Sequence, residues 1–118
     1  MTSSDLVDKL KLSSEATITT TGRKSKGKFS TPVWFALGKE EGVILVPMKG
    51  SDNGWFKNLE KDARIELRVG DTAVSSKARL VRGHNEVERV LDRFRAKYRS
   101  MWSESYYTKR DVYVEVPL

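Results

Sequence analysis

Residues 19–35 read TTTGRKSKGKFSTPVWF, and residues 46–59 read VPMKGSDNGWFKNL. Four cations (Arg23, Lys24, Lys26 and Lys28) crowd into a turn containing Gly22 and Gly27, between two strand-like runs. A fifth, Lys49, ends the next strand beside Gly50, and the indoles of Trp34 and Trp55 are close in sequence to these charges. Cations and backbone N–H groups suit a phosphate, whereas broad aromatic faces suit a flat ring. A pocket offering both would hold a phosphorylated ring cofactor, so the pattern points to an enzyme.

The flanking sequence supplies the frame. Residues 3–12 read as a short amphipathic helix, with Ser3 or Ser4 as cap and Leu6, Val7 and Leu10 on one side. EATITTT (15–21) is a β-branched strand ended by Gly22, and 22–30 is a loop. Residues 31–37 form a strand with Val33, Phe35 and Leu37 on one face and Trp34 and Ala36 on the other. Pro32 fits an edge or a strand beginning, because it cannot donate to a ladder. The continuous run VILV (43–46) reads as a strand covered on both faces. Residues 54–61 make a brief helix capped by Asp52 or Asn53.

Ile65, Leu67 and Val69 alternate with Arg64, Glu66 and Arg68, and Gly70-Asp71 turns that strand into another over 72–82. The clearest helix covers 85–101, where Val87, Val90, Leu91, Phe94, Tyr98 and Met101 keep the 3.6-residue period. Arg89, Arg93 and Lys97 form a basic stripe beside that apolar side and read as a wet face. VYVEV (112–116) is the last strand. Six strands that are mostly sequence neighbours, one long helix before the last strand and two short helices predict an α+β fold, an antiparallel sheet closing into a small barrel. The long helix is expected over one opening or flank.

The chain of 118 residues reads as a single domain over 1–118 with an ordinary composition: 38% hydrophobic and 32% charged residues. Without cysteine and with one histidine, His84, it has no thiolate chemistry, and a metal centre or His-based triad is not expected. No apolar run approaches the ~20 residues of a membrane helix, and MTSSDLVDKLKL does not read as a signal peptide. The expected location is therefore cytoplasmic. A net charge of +6 favours anionic partners without choosing among them.

The ordered set of strand, GRKS turn, proline- and aromatic-bearing strand, apolar strand ending at a Lys/Gly pair, and W-F-x-N-L helix resembles the deazaflavin-dependent nitroreductase and quinone reductase family. That family lies within the flavin-binding split β-barrels that include the pyridoxamine phosphate oxidases. The likeness is strong over roughly 16–70. It implies that Arg23, Lys24 and Ser25, with Lys28 or Lys49, face a cofactor phosphate. It also implies that Pro32 and Trp34 line the ring site. Val46, Pro47, Met48, Lys49 and Gly50 then run along the ring edge, and Trp55, Phe56 and Asn58 belong to the helix closing over it.

The C-terminal aromatics Trp102, Tyr106 and Tyr107 read either as packing over a barrel end or, as the resemblance implies, as the substrate region, with Tyr106 or Tyr107 as proton donor. Lys26 intervenes before Gly27 and Gly54 stands immediately before Trp55, departures that keep FMN as the alternative to the deazaflavin cofactor F420. The implied reaction passes hydride to an electron-poor small molecule (a quinone, enone or nitroaromatic), and homodimerisation follows by the same resemblance. Two rival classes are a nucleic-acid-binding small barrel, with cations for phosphates and aromatics for bases, and a non-catalytic flavin or tetrapyrrole carrier. Nucleic acid is not the expected partner.

Overall fold

The computed structural model describes residues 3–38 and 42–118, and of residues 3–5 only the helical backbone, so the expected serine cap lies outside the described side chains. The described elements are α1 (Ser3–Lys11), β1 (Ala16–Thr21), β2 (Lys28–Val33), β3 (Ala36–Leu37), β4 (Val43–Leu45), α2 (Gly54–Lys61), β5 (Arg64–Val69), β6 (Thr72–Lys77), β7 (Arg79–Arg82), α3 (His84–Tyr98) and β8 (Val112–Val116). They build two four-stranded sheets, ordered β2-β1-β5-β6 and β3-β4-β8-β7. Every pairing is antiparallel. This is the α+β split barrel expected from the sequence.

Two of the expected strands are each divided between the sheets. The run over 31–37 breaks at Trp34 and Phe35, so that β2 pairs with β1 while β3 pairs with β4. The run over 72–82 breaks at Ala78, whose N–H reaches the Ala63 carbonyl at 2.8 Å before β7 joins β8. The corners leave the alternation of faces intact. Val33, Phe35 and Leu37 belong with the inter-sheet core, whereas Trp34 and Ala36 belong with the outer one. Pro32 sits on the edge strand β2, opposite Thr17, where its missing donor costs no ladder bond.

The inter-sheet core holds Ile18, Phe35, Leu45, Leu67 and Val114, closed by Leu6 and Leu10 of α1 and by Phe56 and Leu59 of α2. A second core lies between the other face of β4 and α3, where Ile44 and Val46 meet Val87, Leu91, Phe94 and Tyr98. VILV therefore is covered on both sides, as its unbroken hydrophobicity requires. The long helix flanks the second sheet.

It ends at Tyr98 and not at 101: Arg99 turns the chain with φ 27°, and Met101 is left half-exposed in a single 3-10 turn. Lys97 also departs from the wet face expected for it. Its ammonium donates to the Phe35 carbonyl at 3.1 Å and stands 3.3 Å from the Phe35 ring centroid. Among the described residues no helix is long and apolar enough to cross a membrane, and no cluster of His, Cys, Asp or Glu could hold a metal.

Candidate functional site

The basic turn is shaped by its own backbone. Gly22 N–H bonds to the Gly27 carbonyl at 2.7 Å, and Lys26 N–H bonds back to Gly22 at 3.1 Å. Lys26 holds φ 64°, a left-handed conformation that glycine adopts more readily, which accommodates the extra residue before Gly27. Ser25 Oγ accepts from Gly27 N–H at 3.3 Å. A side chain at Gly22 would run into the Phe29 ring, so the glycine lets that ring lie against the turn.

Helix α2 fixes the turn from beneath. Asn58 is buried, and its Oδ1 accepts from Arg23 Nη1 at 2.8 Å and from the Arg23 backbone N–H at 3.3 Å. Its amide nitrogen donates to Thr20 Oγ1 at 3.2 Å. Arg23 Nη1 also reaches the Gly54 carbonyl at 3.3 Å. The guanidinium is thus oriented by neutral acceptors and has no carboxylate partner among the described residues.

These elements enclose a cleft of about 570 Å³ lined by Arg23, Lys24, Ser25, Phe29, Trp55 and Asn58, with Gly22, Gly54 and the Thr20 hydroxyl completing the wall. Among the described residues no carboxylate lines it. Two cations, several hydroxyls and two aromatic rings therefore share one open concavity. Such a surface can take a phosphate at the turn and a flat apolar body against Phe29 and Trp55.

The other expected site residues lie elsewhere. Strand register pairs Lys28 with Thr21 and Pro32 with Thr17, on the face turned away from the core, and Lys28 Nζ donates to Thr21 Oγ1 at 3.2 Å. Val46 and Pro47 are buried, while Met48 and Lys49 are exposed beyond the cleft rim. Lys49 N–H donates to Asn53 Oδ1 at 3.3 Å, which connects this segment to the cleft wall. Gly50 takes φ 56° over the Asp111 carboxylate, and Asp111 accepts from Ser51 N–H at 3.0 Å and from its hydroxyl at 2.5 Å. Asn53 begins α2 without a side-chain cap bond, its oxygen being used by Lys49.

Trp34 does not line the cleft. It stacks on Tyr98 at 4.1 Å between centroids with 6° between planes, and meets Tyr106 edge-on at 5.7 Å. Tyr106 is 44% exposed, whereas Tyr107 is buried, stacked on Trp102 at 5.2 Å and set edge-on to Phe94. Burial pushes the Tyr107 phenol well above its ordinary value.

The aromatic segment is tied to α3 by ions. Glu104 accepts from Arg95 Nε at 2.8 Å, from Arg110 Nη2 at 3.0 Å and from the Trp102 indole N–H. The Arg95 hydrogen bond, then that of Trp102, holds the Glu104 carboxyl down at about 2. Thr108 links the segment to the Met48 carbonyl through its N–H at 2.9 Å.

Sequence reasoning missed the role of Tyr98, whose hydroxyl donates to the Ser14 carbonyl at 2.8 Å and accepts from Phe35 N–H at 3.0 Å. Burial pushes its phenol up to about 12. The one hydroxyl in an otherwise apolar helical stripe was the available signal. Phe29 was also passed over, because the stretch around it is too polar to suggest a wall of a cleft.

The sequence matches the family model described as F420H(2)-dependent quinone reductase over residues 2–118. Among solved structures, the fold is shared with the protein Atu2129 of unknown function from Agrobacterium tumefaciens, at TM-score 0.74 and 18% identity, covering 95% of this chain and 53% of that one. The chain thus spans about half the length of that relative. An F420-H2 dependent reductase, FDR-A, aligns at TM-score 0.66 and 22% identity, covering 88% of this chain and 94% of that one. A pyridoxamine 5'-phosphate oxidase-like protein from Listeria innocua aligns at TM-score 0.68 and 10% identity, with 97% and 90% covered. At these identities the solved structures establish the split-barrel fold alone. Among proteins of curated function, none matches this sequence.

Proposed function

Because the chain belongs to the F420H(2)-dependent quinone reductase family, we propose that it is an oxidoreductase that binds F420 at the Arg23–Trp55 cleft and reduces an electron-poor small molecule. The quinone, enone and nitroaromatic classes fit that description. The observation that carries the reading is the cleft itself, in which Arg23, Lys24 and Ser25 share a wall with Phe29 and Trp55 and, among the described residues, no carboxylate competes.

When bound, F420 supplies the two-electron reducing equivalent, and the protein contributes position and electrostatics. Arg23, already turned by Asn58, donates to the phosphate together with Lys24 and the Ser25 hydroxyl. Trp55 and Phe29 cover apolar cofactor surface and exclude water from it. Lys49, an exposed cation whose backbone N–H bonds Asn53 of the cleft wall, adds positive charge near the cleft, which suits a long anionic tail. On the substrate side, the exposed Tyr106 beside Trp34 is the proton donor through its phenol oxygen. Tyr107 supports the Trp102 face from within the core.

The test is a titration of F420 and FMN into the wild type and the Arg23→Ala/Lys24→Ala variant, followed by cofactor fluorescence. Losing two charge-assisted contacts, each contributing about 1.5–3 kcal/mol, should weaken F420 binding roughly a hundredfold or more. Equal affinity in the variant would remove the assignment of the turn. Tight FMN binding with no response to F420 would reassign the cofactor.

A further inference from the structure

A second cleft of about 570 Å³ opens against the other sheet and shares no lining residue with the first. Its cationic wall comes from two elements: Arg89 and Arg93 stand one turn apart on α3, and Arg79 projects from β7. Arg79 donates to Glu115 of β8 at 2.7 Å, so that pair is close to neutral. Arg93 gives Nη1 to the Leu37 carbonyl at 3.3 Å, which orients the guanidinium without compensating it. Neither Arg89 nor Arg93 has a carboxylate partner among the described residues. Among the described residues, two guanidinium groups without a carboxylate partner therefore face the same space.

The rest of the wall is mixed, with Glu115, held by Arg79, beside apolar residues. Ile44 and Val90 form its floor, Leu118 closes one side, and the half-buried Tyr113 of β8 offers a ring and a phenol donor. A fully hydrated inorganic anion fits this wall poorly, because its remaining oxygens would lose water against Ile44 and Val90 without gaining partners. A flat organic acid satisfies both halves, with its carboxylate oxygens on the arginine forks and its body on the aliphatic floor.

We propose that this cleft is a binding site for a planar organic carboxylate, formed by Arg89, Arg93 and Tyr113 and separate from the Arg23–Trp55 cleft. It stands independently of the cofactor assignment, since it uses no residue of that cleft. Its position between α3 and β8, on the opposite face of the second sheet from the inter-sheet core, makes it a place for an effector or for an acidic substrate group to be held.

The experiment titrates 2-naphthoate into the full chain and reads amide chemical shifts, with 2-naphthylmethanol as the uncharged counterpart and inorganic phosphate as the competitor. Saturable shifts are expected at Ile44, Val90, Tyr113 and Leu118. Binding should weaken at least roughly tenfold in Arg89→Gln/Arg93→Gln, and by as much for 2-naphthylmethanol. It should be unchanged in Arg23→Ala/Lys24→Ala. Both glutamine positions are exposed on the helix, and glutamine keeps helix propensity, so the fold survives the change. The proposal is overturned by an absence of saturable shifts at millimolar 2-naphthoate, or by shifts centred on Trp55. Equal binding by the glutamine variant or by the alcohol, or displacement by phosphate at equal concentration, would also overturn it.

Discussion

Replacing Asn58 separates two jobs that its side chain performs at once. In Asn58→Ala, Arg23 loses an acceptor at 2.8 Å for its guanidinium and one at 3.3 Å for its backbone N–H, while Thr20 loses a donor at 3.2 Å. The guanidinium bond is charge-assisted and partly screened, contributing about 1–2 kcal/mol; the buried neutral bond contributes about 1 kcal/mol and the long N–H bond less. The loss should total about 2–3 kcal/mol, or roughly 8–15 °C in Tm for a domain of this size. F420 affinity should fall as well, because Arg23 is no longer aimed into the cleft.

Asn58→Asp keeps both acceptors for Arg23 and lets the Thr20 hydroxyl rotate to donate, so most of the stability should return. It also places a negative charge at the base of the cleft, so affinity for an anionic cofactor should stay at least roughly tenfold weakened. The assays are urea denaturation and cofactor titration on all three proteins. A stability loss below about 0.5 kcal/mol in Asn58→Ala would refute the reasoning, as would full-strength F420 binding by Asn58→Asp.

Other expected outcomes follow from neighbouring geometry. Lys26→Gly removes a left-handed non-glycine residue, a gain of about 1–2 kcal/mol offset by about 0.5–1 kcal/mol of unfolded-chain entropy, so thermal melts should show a small net stabilisation. The Glu104 carboxyl is held down at about 2, so its contribution is fully present above the ordinary carboxylate range and is lost as pH falls through about 2. Protection factors over 102–110, taken relative to intrinsic exchange at each pH, should therefore drop across that fall in the wild type, and should already be low at neutral pH in Glu104→Gln. Burial lowers Lys97 to about 8 from 10.5, so the unfolded chain binds more protons between those values and stability should rise with pH across that window. Lys97→Met should abolish that rise in denaturation measured at successive pH values.

The alternation of Val33, Phe35 and Leu37 against Trp34 and Ala36 was legible because side chains keep their faces through the corner at Trp34. The corner itself was invisible for the same reason: periodicity reports inside and outside, and both sheets share one inside. Strand β2 was read partly as a loop because Lys28, Phe29 and Ser30 lie exposed on an edge, where nothing demands an apolar pattern. The helical period ran on to Met101, yet the backbone left the helix at Arg99. At the candidate site, the basic turn and Trp55 were legible from local chemistry. The Asn58–Arg23 clamp joins residues 35 apart, and the orientation of Lys97 over Phe35 spans 62, so neither had a local signature.

The most direct test of the central claim is an amide and indole chemical-shift map recorded as F420 is added. The largest shifts should fall on Gly22 through Gly27, on the Trp55 indole N–H and on the Asn58 side-chain amide. A map with its largest shifts around Arg89, Arg93 and Tyr113, or with the Trp55 indole unmoved at saturation, would contradict the account.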